Sequence, residues 1–267
     1  MTNYILIDGS YYCFYRYFAL LNWWKMAHSE EELSVPFDNE LFVEKFKSTF
    51  IEKIKEIPKK LKIKNAKIIV GKDCPRSEIW RNKYSEEYKA TRVYDDTFMG
   101  GPFFKLAYDE LFPSIEGIEL ISNKTLEADD CIALATKCIQ ELNEDANMYI
   151  ITSDTDYLQL LKPNIMIYTL KYKELKESKT YHGDPDKYLF CKILMGDKSD
   201  NIKGVFDKCG PKMAEKCWDD ENYFKSKLKC GDSEERFNLN KRLISFSEIP
   251  KELIEEFVSG NLDKLSI

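Results

Sequence analysis

The sequence predicts an α/β protein, a mostly parallel sheet flanked by helices and followed by a helical second half. Short apolar runs alternate with longer segments of helical period across residues 3–170. Three of those runs are rich in isoleucine, as strands are. The remainder reads as capped helices. Strands alternating with helices imply a parallel sheet with helices on both faces.

In chain order, the expected strands are "NYILI" (3–7), "AKIIV" (66–70), "GIELI" (117–121), "MYIIT" (148–152) and "NIMIYTL" (164–170). Helical period covers 40–61 and 125–142 between them. In "GDPDKYLFCKILMG", Asp184 is the expected N-cap, Pro185 the first helical residue and Gly196 the stop. A second helix starts at Pro211, and the tail from about 233 reads as one or two amphipathic helices. The lysine-rich stretch 53–67 fits a solvated helix end and loop. The aromatic run "YYCFYRYFALLNWW" offers stacking surface, with core packing expected for most of it.

A chain of 267 residues with 43% hydrophobic and 32% charged residues can bury a sizeable core. No apolar run approaches a membrane span, and "MTNYILIDGS" lacks the marks of a signal peptide, so an intracellular protein with no membrane partner is expected. The eight cysteines form no CxxC pair, which argues for buried thiols rather than disulfides or a zinc site. Two histidines, His28 and His182, leave little room for histidine-based nucleophilic catalysis.

Acidic residues follow several strands at once: Asp8 after the first, Asp73 after the second, Asp154 and Asp156 after the fourth. Parallel strands bring such positions to one edge. "LEADD" adds Glu127, Asp129 and Asp130 in the first turn of a helix beginning near Thr125, and "GDKSDN" adds Asp197 and Asp200. Taken singly, such acids merely complement a helix dipole or shape a turn. Nine carboxylates along one edge repel one another unless cations neutralise them. Hard divalent ions with oxygen ligands do so, and two ions ~4 Å apart can activate water and stabilise both oxygens of a phosphodiester displacement. Setting those nine aside from a formal −6 leaves the rest of the chain net positive, which suits a polyanionic substrate.

The segment "RSEIWRNKYSEEYKATR" (76–92) carries Arg76, Arg81, Lys83, Lys89 and Arg92 interleaved with Trp80, Tyr84 and Tyr88. Such a segment can face phosphates and unpaired bases, or form a solvated basic helix with its aromatics inward.

From "ILIDGS" through "GKDCPRSEIWRNKYSEEYKATR", "EADD", "TSDTDYLQLL" and "GDKSDNIKGV", about residues 4–215, the chain resembles the 5′-nuclease superfamily. That superfamily contains flap endonucleases, the 5′→3′ exonuclease domains of DNA polymerase I and phage ribonuclease H enzymes; tail and length look closest to the phage branch. The resemblance implies a PIN-like core over 1–180, with an arch at about 80–112 for a single-stranded 5′ end. It further implies a helix-three-turn-helix DNA-binding region and C-terminal helices over 181–267.

The same resemblance implies that Asp8, Asp73, Glu127, Asp129, Asp130, Asp154, Asp156, Asp197 and Asp200 hold two or more Mg²⁺ ions, with Mn²⁺ substituting. Of these, Asp8, Asp73, Glu127, Asp129 and Asp130 count as catalytic with Lys89 and Arg92 at the scissile phosphate, while Tyr88 stacks on a base and Lys192 matches a further basic position. Nucleic-acid contacts are expected from Arg76, Arg81, Lys83, Gly204, Gly210 and Lys212. The family's duplex-binding turn usually reads like "GVxGIGxKTA"; here it is "GVFDKCGPKMA", longer by about one residue. Lys208 and Cys209 replace small or aliphatic residues where the family holds a monovalent ion.

The implied activity is metal-dependent 5′→3′ exonuclease or flap endonuclease cleavage of branched or flapped DNA, of RNA–DNA hybrid, or of both. It leaves a 5′-phosphate and a 3′-hydroxyl in replication or repair. No docking motif for replication proteins is readable. A PIN-type ribonuclease and a catalytically silent nucleic-acid-binding factor are the alternatives; the second is disfavoured because all nine carboxylates are present. A calcium-binding protein lacks its twelve-residue loop.

Overall fold

A computed structural model describes residues 2–30, 33–92, 97–178 and 181–265. The centre of the expected arch, 93–96, lies outside the described residues. Strand β1 (Asn3–Asp8) is central in an all-parallel sheet ordered β3-β2-β1-β4-β5, with β2 at Ala66–Gly71, β3 at Ile118–Ile121, β4 at Asn147–Ile151 and β5 at Ile165–Tyr168. All five expected strands form, within a few residues of their expected ends.

Tyr4, Ile5, Leu6 and Ile7 of β1 have no exposed surface, because both faces of the sheet are covered. Ile5 and Ile7 pack towards helices α1 (Gly9–Ala27) and α2 (Glu40–Lys60). Along α2 the buried residues are Phe42, Phe46, Phe50, Ile54 and Ile57, the stripe that a 3.6-residue period lays on one face. Tyr4 and Leu6 point the other way, towards α4 (Ala128–Leu142) and α9 (Lys251–Leu265).

Helix α4 begins three residues later than the sequence suggests. Glu127 is its N-cap, in extended conformation, and exchanges capping bonds with Asp130, so Glu127 lies outside the first turn. Thr125 is held in the preceding loop, where its carbonyl accepts the Trp80 N–H at 3.0 Å. Residues 76–92 form no α-helix; the chain makes 3-10 turns at Arg76–Glu78 and Trp80–Lys83.

After α3 (Gly101–Leu106) and a π-helical turn at Ala107–Leu111, the second half contains α5 (Pro185–Met195), α6 (Pro211–Asp219), α7 (Glu221–Leu228) and α8 (Ser233–Ile244). Asp184 caps α5 through bonds from the N–H groups of Asp186 and Lys187, Pro185 opens it, and Gly196 ends it, each as expected. At Gly196 φ is +71°, and a β-carbon would lie 2.4 Å from the Ile202 carbonyl, so only glycine fits. Buried Leu194, Val205, Ala214 and Cys217 join these helices into their own core. Helix α9, expected to belong with the second half, instead returns to the sheet. Phe257 and Leu265 are fully buried in the α4-side core, and Asn261 pairs with both backbone groups of Ser122 beyond β3.

Candidate active site

The strand order reverses direction beside β1, so the loops after β1, β2 and β4 open a crevice at their carboxyl ends. A cavity of about 580 Å³ occupies it. Asp8 ends β1, Asp73 lies two residues beyond β2, Asp154 follows β4, and Glu127 and Asp129 flank the start of α4. With Asp197 from the loop after α5, these six carboxylates line the cavity.

Three expected members do not line it. Asp130 is fully buried; Arg81 approaches both its oxygens at 2.7 Å, and the Trp80 indole donates at 2.9 Å. Glu127, Asp129 and Asp130 offer oxygens within 4.8 Å of one another, but those of Asp130 are already engaged. Asp156 is paired with Lys192. Asp200, 8% exposed, is paired with Arg92, lies 3.6 Å from the Lys89 ammonium and accepts from the Tyr88 hydroxyl at 3.4 Å. Of the nine expected carboxylates, six thus line the cavity and three do not, and two of the six, Glu127 and Asp197, also meet cations.

Crowding perturbs the acids. Burial, with Asp73 and Asp154 nearby, pushes the Asp8 carboxyl up to about 7. Burial and the charges of Asp130 and Glu127 raise Asp129 well above the carboxylate range. Asp154 is raised by burial, against the pull of Lys192. Two others move the opposite way. Burial opposes ionisation of Glu127, yet Lys89 and Arg81 outweigh it and hold Glu127 below its usual range. At Asp197 burial is likewise outweighed, by hydrogen bonds from Ser199 and by Lys192, which take it down to about 2.

Apart from Lys192 on α5, the cations lining the cavity come from one short segment, 76–92. Lys89 adopts φ +55°, rare for a residue with a β-carbon. Its N–H donates to the Asp200 carbonyl at 2.8 Å and its ammonium meets Glu127. Arg76, expected to face phosphate, lines the cavity and also clamps this segment by donating to the carbonyls of Lys89 and Arg92. Arg81, expected to contact nucleic acid, is turned inward. It is 1% exposed and joins Asp130, Glu127 and the Leu243 carbonyl, so its charge is spent inside the fold. Tyr88 is 6% exposed and donates to Glu127 at 3.0 Å, which leaves no free ring face for a base here. Lys83 and Lys212 are exposed, and Lys192 lines the cavity 3.0 Å from Asp197. Gly204 packs tightly against the end of α5, whereas Gly210 caps α6 with open space around it.

Tyr11 and Phe14 of the aromatic run line the cavity, as do Ser10, Cys74, Thr152 and Ser153, which the sequence does not single out. Their signal is adjacency to Asp8, Asp73 and Asp154. Within the aromatic run, Tyr12, Tyr17 and Trp24 are core, while Phe14 is 43% and Phe18 48% exposed.

Acids gathered beyond the ends of parallel strands, faced by a lysine and an arginine, form the candidate active site of a PIN-like core. The chain belongs to the 5′-3′ exonuclease family: residues 3–186 match the family described as 5′-3′ exonuclease, N-terminal resolvase-like domain. It is 31% identical over 246 residues to a 5′-3′ exonuclease of Mycoplasmopsis pulmonis, across 89% of this chain and 72% of that one. It is 28% identical over 195 residues to the ribonuclease H of Enterobacteria phage T4, across 70% of this chain and 62% of that one. A bacteriophage T5 flap endonuclease, solved as a pseudo-enzyme-product complex with DNA and metal ions, has the same fold. Its TM-score is 0.71 at 17% identity, over 99% of this chain and 100% of that chain.

Proposed function

We propose that this nuclease is a divalent-metal-dependent 5′-nuclease acting on branched or flapped DNA, with RNA–DNA hybrid as a second substrate, and leaving a 5′-phosphate and a 3′-hydroxyl. The observation that carries it is the convergence of six carboxylates on one cavity, with Asp8 driven up to about 7 by burial and by the charges of Asp73 and Asp154. Carboxylates so placed fit hard divalent ions. Asp8, Asp73, Glu127, Asp129, Asp154 and Asp197 would hold Mg²⁺ or Mn²⁺, which when bound supplies Lewis-acid activation of water and of the phosphodiester. The one soft donor in the cavity, Cys74, is pushed up to about 12 by burial and surrounding acids, so it stays a neutral thiol and a poor ligand.

Lys89 and Arg92 provide fixed positive charge for the phosphate oxygens. Burial opposes the charge on Lys89, but Glu127, Asp129 and Asp200 outweigh it and raise its pKa; it therefore acts as a cation and not as a base. Arg76 holds both in place through their backbone carbonyls. Phe14 walls the cavity with an exposed ring, which suits an unpaired base.

The name of the phage T4 relative favours the RNA–DNA hybrid as second substrate. The test is a 5′-flap duplex, labelled on either end, incubated with Mg²⁺, Mn²⁺ or EDTA. A short flap released only with metal is the expected result. Binding without cleavage under every metal would overturn the proposal.

A further inference from the structure

We propose that Tyr108 is a positioning residue for the acidic centre: its buried hydroxyl orients Ser10, which in turn holds Asp73. This inference rests on the metal-dependent reading above and deepens it.

Asp73 is held at both oxygens. Oδ1 accepts the Ala128 N–H at 2.8 Å, and Oδ2 accepts the Ser10 hydroxyl. A serine hydroxyl has one proton and two lone pairs and rotates to suit its partners, so a second donor on its oxygen narrows that rotation and strengthens the bond to the carboxylate. Tyr108 is placed to be that donor. Its hydroxyl lies beside Ser10 and is shut off from solvent, though the residue is only half-buried, and it completes no hydrogen bond of standard geometry. A buried polar atom left so is uncommon and calls for a role.

The surroundings are built to admit this phenol. A β-carbon on Gly9 would lie 2.4 Å from the Tyr108 hydroxyl and 2.5 Å from the Gly71 carbonyl, so the residue between Asp8 and Ser10 must lack a side chain. The ring is fixed by Phe112, at 5.4 Å between centroids, and by the Lys72 ammonium 5.0 Å above it. Tyr108 belongs to the π-helical turn Ala107–Leu111, a widened geometry that recurs at functional sites. That turn directly follows α3, so the phenol connects the base of the expected arch to a carboxylate of the site.

Tyr108→Phe keeps the ring and removes the donor. Mn²⁺ binding to the nucleic-acid-free protein, followed by electron paramagnetic resonance, is the readout. The dissociation constant is expected to rise about tenfold, as for other partners of ligating groups. The metal-free melting temperature should hold, and in a Ser10→Ala background Tyr108→Phe should add nothing. Unchanged Mn²⁺ affinity, an equal further loss in the Ser10→Ala background, or a matching fall in metal-free melting temperature each overturns the proposal. A wild-type protein that binds no Mn²⁺ overturns the metal-dependent reading itself, and this inference with it.

Discussion

The Arg81 guanidinium meets the Asp130 carboxylate with two nitrogens, each 2.7 Å from an oxygen, in a site where neither side chain exceeds 2% exposure. Breaking such a pair from one side strands a buried charge. Arg81→Met is expected to cost ~3–5 kcal/mol in urea unfolding, and Arg81→Met with Asp130→Leu should recover most of it. Because Arg81 is almost wholly buried, the salt dependence of DNA affinity should be unchanged in Arg81→Met. It should flatten by about one unit of log–log slope in Lys83→Ala, whose ammonium is exposed.

Metal binding should be coupled to pH through Asp8. With a folded pKa near 7 and an unfolded one of about 4, Asp8 binds more protons folded than unfolded across that interval. The metal-free protein therefore loses stability from this group as pH rises from about 4 to about 7. Asp197 acts oppositely: its contribution is full above about 4 and is lost as pH falls through about 2. Bound cations displace the Asp8 proton, so apparent Mn²⁺ affinity should rise up to about tenfold per pH unit below pH 7 and then level off. Thermal melts with and without Mn²⁺ between pH 5 and 8 check both slopes. A metal-induced shift that does not depend on pH would show that Asp8 is not a ligand.

Turnover and affinity should separate at the cavity. Lys89→Ala removes a fixed cation and is expected to lower single-turnover rate by about 10²–10³ with a smaller loss of substrate affinity. Asp129→Asn should abolish cleavage while binding persists. Equal loss of binding and cleavage in either variant would mark the residue as structural.

Phe257 and Leu265 place α9 in the core of the sheet, with no exposed surface on either side chain. Phe257→Ala is expected to cost ~3–5 kcal/mol. Deleting residues 251–267 should melt the α4 side of the sheet. Hydrogen exchange would show this as lost protection in β3 and α4, not merely in the C-terminal helices.

The sheet was legible because strands buried on both faces leave runs such as "AKIIV", and because an acid after each of three parallel strands has only one edge to occupy. The caps of α5 were legible for a local reason, since Asp184, Pro185 and Gly196 act within a few residues of themselves. What escaped depends on contacts distant in sequence. Arg76, Arg81 and Lys89 look alike in a row of basic residues; one clamps carbonyls, one is interred against Asp130, and one faces the cavity. The late start of α4 was hidden because Asp73, 55 residues earlier, accepts its first N–H. The return of α9 to β3 was hidden because an amphipathic stripe specifies that a face is buried, without specifying its partner.

The Arg81 Nε–H donates at 2.8 Å to the Leu243 carbonyl, across 162 residues. A ribosome extends the chain from its amino end, so the strands and their acids emerge long before the acceptor that completes the arginine's bonding. Until residue 243 has emerged and α9 has closed over α4, the guanidinium steadying Glu127 lacks its third anchor. A nascent chain that already carries all nine acids thus has an unfinished centre, and its activity is expected to arrive late in synthesis rather than to grow with length.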